Sequence, residues 1–187
     1  MTQFEYVIPF VGIIYGLCAT DLLTSIYRLL EQRQKVKFHF LPLVWSAICF
    51  LIIINGWWAF FEINDRVLIN SAGKLLILCC MPLLTFLFCA AALPGRVPDS
   101  GCDMWQYYLA NRKLFFSFLV IYMMIIPLVL HYFTPEREMT EYVISQSVGA
   151  ACLASLIYFK NIWLHTGVAI LFLITMSNSL FQQTIVL

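Results

Sequence analysis

Charge is the scarcest commodity in this chain. Of its 187 residues only 11% are Asp, Glu, Lys or Arg, while 62% are hydrophobic. Soluble domains carry about 25% charged and roughly 45–50% apolar residues. A water-soluble core of this size has no room for so much apolar surface, which excludes an ordinary globular domain. Net charge is also nearly absent, at +1, so there is no basic excess to hold a nucleic acid.

Other absences narrow the field further. There is no C-x-x-C, so the seven cysteines do not spell a zinc or dithiol site. Cys18, Cys49, Cys79, Cys80, Cys89 and Cys152 lie inside apolar runs and read as small hydrophobes; only Cys102 lies in a polar stretch. No H-E-x-x-H, G-x-S-x-G or phosphate loop occurs. The N-terminus has no basic region ahead of its first apolar run, and that run is too long for a secretory signal, so it is expected to be a retained helix.

What is present is a series of apolar runs. A bilayer-crossing helix needs about 20 mostly apolar residues. Six stretches qualify, at about 4–28, 40–61, 73–93, 114–133, 141–159 and 162–187. Barrel strands would be half as long and would alternate. The expected fold is therefore all-α: one polytopic transmembrane bundle over 1–187, with short connections. Only Lys160 and Asn161 separate the last two runs, so five spans is the alternative count. The stretch 103–113 is polar but carries Trp105, Tyr107, Tyr108 and Leu109. It suits a helix lying on the membrane surface and capped by Asp103, or an extension of the fourth span.

The scarce charges are sorted by side. With six spans, eight of the 11 basic residues fall in alternate gaps: Arg28, Arg33, Lys35, Lys37, Arg96, Arg112, Lys113 and Lys160. The other side holds Arg66, Lys74 and Arg137, together with Glu5, Glu62, Asp65, Glu136, Glu138 and Glu141. The positive-inside rule places the richer side in the cytoplasm and both termini outside. Trp57 and Trp58 at one face and Trp163 at the other sit where amphipathic rings settle.

Candidate functional residues follow from polar groups in apolar places. Asp21 lies inside the first run, roughly 10 Å below the inner interface at 1.5 Å per residue. A bare carboxylate at mid-membrane costs about 2.5–3.5 kcal/mol, and less toward the edge. Asp21, Thr24 and Arg28 share a helical face by spacing. They suggest either an ion or proton site or a polar contact inside the bundle. Asn55, Glu62 and Asp65 beside Trp57 and Trp58 suggest an outer mouth that attracts cations, or a plain interfacial belt. The fifth run is rich in small and polar residues, including Ser145 and Gln146. Its Ser145–Gly149 and Ala151–Ser155 pairs permit close helix packing, and lining a polar path is the other reading. Asn178 and Gln182 add polar groups to the sixth run. Arg33, Lys35, Lys37, Tyr107, Tyr108, Arg112 and Lys113 form a basic and aromatic set suited to a cytoplasmic partner or to lipid phosphates. His39 and His165 near the inner interface admit a haem as a remote alternative. No cofactor and no metal site is expected. Pro82 and Pro127 are placed to kink the third and fourth spans. Glu5-Tyr6-Val7-Ile8 recurs as Glu141-Tyr142-Val143-Ile144, a weak echo of the internal repeats common in transporters.

Several landmarks recur together: Phe4-Glu5-Tyr6, the basic turn from Arg28 to Lys37, Pro42, Trp45, Trp57-Trp58-Ala59-Phe60, Tyr107-Tyr108, Asn111-Arg112-Lys113 and Phe115-Phe116. Over roughly the first two-thirds of the chain they resemble a family of small bacterial multi-span inner-membrane proteins with no established activity. The resemblance implies a bacterial inner membrane and carries over no functional residue.

Two functions fit the sequence. One is a small channel or transporter-like bundle, with Asp21 and the polar faces of the last two spans lining a path. The other is a membrane sensor, scaffold or accessory subunit that acts through a cytoplasmic or membrane partner. A lipid-handling enzyme is a distant third. The expected partners are the bilayer and either a second copy or another membrane protein.

Overall fold

The computed structural model describes residues 3–63, 71–133 and 139–182. They form six α-helices: α1 (Gln3–Glu31), α2 (Phe40–Ile63), α3 (Ala72–Ala92), α4 (Met104–Phe133), α5 (Thr140–Tyr158) and α6 (Ile162–Gln182). A 3-10 turn (Arg33–Lys35) and two short strands, β1 (Val36–Lys37) and β2 (Cys102–Asp103), complete the regular elements of the described residues. All helices but α5 contain a stretch long and apolar enough to cross a bilayer. α5 falls short because Ser145, Gln146 and Ser147 dilute its apolar content.

The burial pattern follows helical geometry. On α1 the buried residues are Val7, Val11, Tyr15, Cys18, Leu22, Ser25 and Leu29, every third or fourth position. The opposite face shows Phe10, Ile13, Leu17, Leu23 and Leu30, exposed and apolar, as lipid-facing residues should be. On α4 the same rhythm buries Tyr108, Arg112, Phe115, Leu119 and Tyr122.

α2 occupies the middle of the bundle. It packs against α1, α3 and α6 and touches α4, while α5 lies along α4. The core is aromatic where these helices meet. Trp45 of α2 meets Phe115 and Phe116 of α4 edge-on, with ring centres 5.7 and 5.0 Å away, and Phe172 of α6 at 6.0 Å. In helices apolar on their outer faces, packing of this kind supplies cohesion, and such interlocking rings carry much of it. Where α1 crosses α2, the backbone of Gly56 comes so near Tyr15 that a Cβ there would lie 2.5 Å from the phenol oxygen.

α4 starts at Met104 and runs unbroken to Phe133. The stretch expected either as a surface helix or as an extension of the fourth span is its first turns. Asp103 caps it, its Oδ1 accepting from the backbone N–H of Trp105 at 3.0 Å and of Gln106 at 3.2 Å. Pro82 and Pro127 are buried within α3 and α4.

The α1–α2, α3–α4 and α5–α6 connections share one end of the bundle. The first two touch through β1 and β2, and Phe159 of the third meets His165, which in turn meets Tyr108 near the start of α4. This is the basic end.

Candidate functional site at the basic end

The α1–α2 and α3–α4 connections are knitted into one layer. Val36 pairs with Cys102 and Lys37 with Asp103 in parallel register. Lys35 Nζ meets Asp99 Oδ1 at 3.1 Å. Arg28 reaches across the gap and donates from Nη1 to the Gly95 carbonyl at 2.6 Å. Beneath these bonds Leu29, Val36, Leu93 and Met104 form a small core of their own. Tyr107 closes the layer, its hydroxyl donating to the Leu93 carbonyl at 3.0 Å, one of the carbonyls left open at the end of α3. Gly101 makes the approach possible. Its φ is +91°, and a Cβ there would stand 2.8 Å from the Lys35 carbonyl oxygen. Arg33, Lys37 and Arg96 are exposed on this layer. Burial, with the Asp103 carboxylate alongside, raises the Cys102 thiol above its ordinary pKa.

Next to the layer, three helices bring polar groups together. Asn161 caps α6, its Oδ1 accepting from the Trp163 N–H at 2.9 Å, and this fixes His165 in the first turn. His165 is fully buried. Its Nε2 lies 2.9 Å from the Phe159 carbonyl and its Nδ1 2.6 Å from the Tyr108 hydroxyl. A carbonyl only accepts, so Nε2 carries the proton; in the neutral ring Nδ1 then accepts from Tyr108. Both ring nitrogens are thus engaged. One turn on from Tyr108, Arg112 is 8% exposed. Its Nη1 donates to the Leu109 carbonyl at 2.7 Å, while Nε is sealed from solvent with no acceptor. Among the described residues no carboxylate pairs with it. The Trp45 indole N–H lies beside the Tyr108 hydroxyl without a well-directed bond. His39 stacks on Phe40 and leans on Trp105, which stacks on Tyr108 in turn.

The remaining candidates are dispersed. Asp21 is half-buried on α1, close enough to Cys18, Cys89 and Tyr107 to act on them electrostatically. Among the described residues it has no hydrogen-bond or ion-pair partner. Thr24 is half-buried and Arg28 turns to Gly95, so no bond joins the three residues that share its face. Asn55 ties α2 to α6, accepting from Ser179 Oγ at 3.0 Å and approaching the Met176 carbonyl at 3.5 Å. Ser145 and Asn178 are exposed on the outside of the bundle, and Gln146 is half-buried with Oε1 sealed from solvent and unbonded. Trp57 is exposed and lines a shallow apolar recess with Ile8, Val11 and Phe60; Trp58 is half-buried. Lys113 is exposed. The side chains of Glu62 and Gln182, and the whole of Asp65, lie outside the described residues.

Sequence reasoning missed Gly101, the β1–β2 pairing and the Tyr108–His165 bond. The four-residue spacing of Tyr108 and Arg112 was a signal that both face the same way on α4.

Fold and site together define a helical bundle compatible with an integral membrane protein, organised at one end by a basic layer. No family model matches the chain, and no curated protein or solved structure matches it either.

Proposed function

We propose that this protein is a membrane scaffold or accessory subunit that works through its basic end, which faces the cytoplasm. The observation that carries this reading is the knitted layer. Connections that only link helices need no pairing, no ion pair and no core of their own. Here all three hold Arg33, Lys37 and Arg96 in fixed positions. A pre-ordered cationic surface suits an acidic segment of a partner, because less ordering entropy is lost on binding.

Orientation follows from the charge bias, with eight of the 11 basic residues at this end. α5 then returns the chain to the basic end as a sixth crossing. Its exposed small face, with Ser147 and Ala151, is covered by a neighbouring membrane helix or a second copy. The bacterial inner membrane is the setting that the family resemblance implies.

Conduction is the second reading, and Asp21 favours it: a half-buried carboxylate without a partner among the described residues is what an ion path uses. Against it, Ser145 and Asn178 face outward and do not converge with Asp21.

Photo-cross-linking in native membranes separates the two. A photoreactive residue at position 37 is expected to give a discrete protein adduct, which disappears on Arg33→Glu with Arg96→Glu. The same residue at position 128, exposed on the apolar surface, is expected to give none. Absence of an adduct from position 37, with ion flux in proteoliposomes that Asp21→Asn abolishes, would favour conduction instead.

A further inference from the structure

We infer that Arg112 is the anchor of an oxyanion site for a phosphate group, set between α2, α4 and α6 at the depth of the lipid headgroups. The guanidinium of Arg112 supplies the charge of the site. It is a permanent cation with five N–H donors in a fixed fork. Of its nitrogens, Nη1 is bonded to the Leu109 carbonyl, and Nε is buried without an acceptor. That leaves the Nε–Nη2 edge, two parallel donors spaced for two oxygens of one anion. A charge 92% removed from solvent, with no acid beside it among the described residues, is costly unless something supplies the missing acceptors.

The polar hydrogens of the two polar neighbours of Arg112 are already committed. The Tyr108 hydroxyl is directed to His165, and His165 in turn is committed to the Phe159 carbonyl. The Trp45 indole adds another N–H that is buried without a good acceptor. Lys113 and Lys160 are exposed nearby in the chain, next to Arg112 and Phe159 respectively. An anion seated here would meet two unfilled donors, Arg112 Nε and the Trp45 N–H.

Depth selects phosphate. Arg112 stands just before the apolar stretch of α4, and His165 is in the first turn of α6. Tyr158 and Trp163 are 78% and 81% exposed beside them, the placement of an aromatic belt. A lipid phosphodiester lies at that level permanently; free phosphate reaches it from solution.

The test uses the whole chain purified in a non-ionic detergent, with native mass spectrometry as readout. Wild type is offered phosphatidylglycerol, or diacylglycerol as a phosphate-free control; millimolar sodium phosphate is tested separately by its effect on the thermal midpoint, against sodium chloride at equal ionic strength. Phosphatidylglycerol is expected to be retained by wild type and by Lys74→Gln, a change at the opposite end of the bundle, and about tenfold less by Arg112→Gln, as the loss of a charge-assisted pair predicts. Diacylglycerol should not be retained. A midpoint raised by phosphate in wild type but not in Arg112→Gln would identify free phosphate as the source and still place the oxyanion on Arg112. Equal phosphatidylglycerol retention by wild type and Arg112→Gln, with no phosphate effect, would overturn the inference and leave Arg112 a packing residue. If Arg112→Gln does not purify as a single species, Arg112→Lys decides. It keeps the charge and loses the fork, so at least about threefold weaker retention is expected, and unchanged retention overturns the site.

Discussion

The two ends of α2 are held in different ways. Toward the basic end, the connections that flank it and follow α3 are joined by directed bonds: paired backbone, Lys35 to Asp99, Arg28 to the Gly95 carbonyl. Along the middle of the bundle, α2 is held mainly by rings and aliphatic side chains around Trp45, and further along by the polar contact of Asn55 with Ser179. Packing holds helices together without fixing where a loop goes. Directed bonds fix a loop while adding little to the cohesion of the helices. The lesson is that stability and surface order are built from different residues here, so each can be removed without the other.

The sharpest break is Trp45→Ala. A fully buried indole lost between three helices should cost about 3–5 kcal/mol, read as a lower midpoint in denaturing-detergent titration of the reconstituted protein. Gly101→Val should do the opposite kind of damage. A side chain at φ +91° costs about 1–2 kcal/mol even before the clash with the Lys35 carbonyl. Global unfolding should shift less than for Trp45→Ala, while the layer opens. Cys102 reports the opening. Its raised pKa leaves little thiolate at neutral pH, so a membrane-impermeant maleimide should react slowly with wild type and faster as pH rises. In Gly101→Val the thiol is more solvated and should react faster at neutral pH. Asn55→Ala removes a bond between α2 and α6 and should cost about 0.6–1.7 kcal/mol in the same titration, with no change in Cys102 labelling. Lys35→Ala should have the least effect, since Asp99 is fully exposed and the pair is screened by water.

Much of the bundle was legible in the sequence. Apolar runs of bilayer length mark the helices because lipid leaves the backbone no partner but itself. Asp103 read as a cap because its side chain is the right length for the open N–H groups that follow. The basic end was visible as a bias in charge. Its construction was not. Two-residue strands carry no periodic signal, and Val36 and Cys102 lie far apart in the chain. Nothing local announces that Arg28, on the same face as Asp21, would turn to the Gly95 carbonyl. For Tyr108 and Arg112 the local signal was only their shared face, not its direction. They stood in a polar stretch and looked suited to a surface, but α4 continues through them without a break, and its buried face takes them inward. Asn55 read as part of a mouth because it stands near Trp57 and Trp58, whereas its bond to Ser179 depends on how α6 lies against α2.

The central claim is that the basic end is one ordered layer rather than two loops. Hydrogen exchange of the wild-type protein in nanodiscs, resolved to residues 33–37 and 99–103, tests it directly. Amides in both segments are expected to exchange far more slowly than those of open loops, and Gly101→Val to release both together. Exchange at loop rates in either segment of the wild type, or release of 99–103 alone, would contradict it.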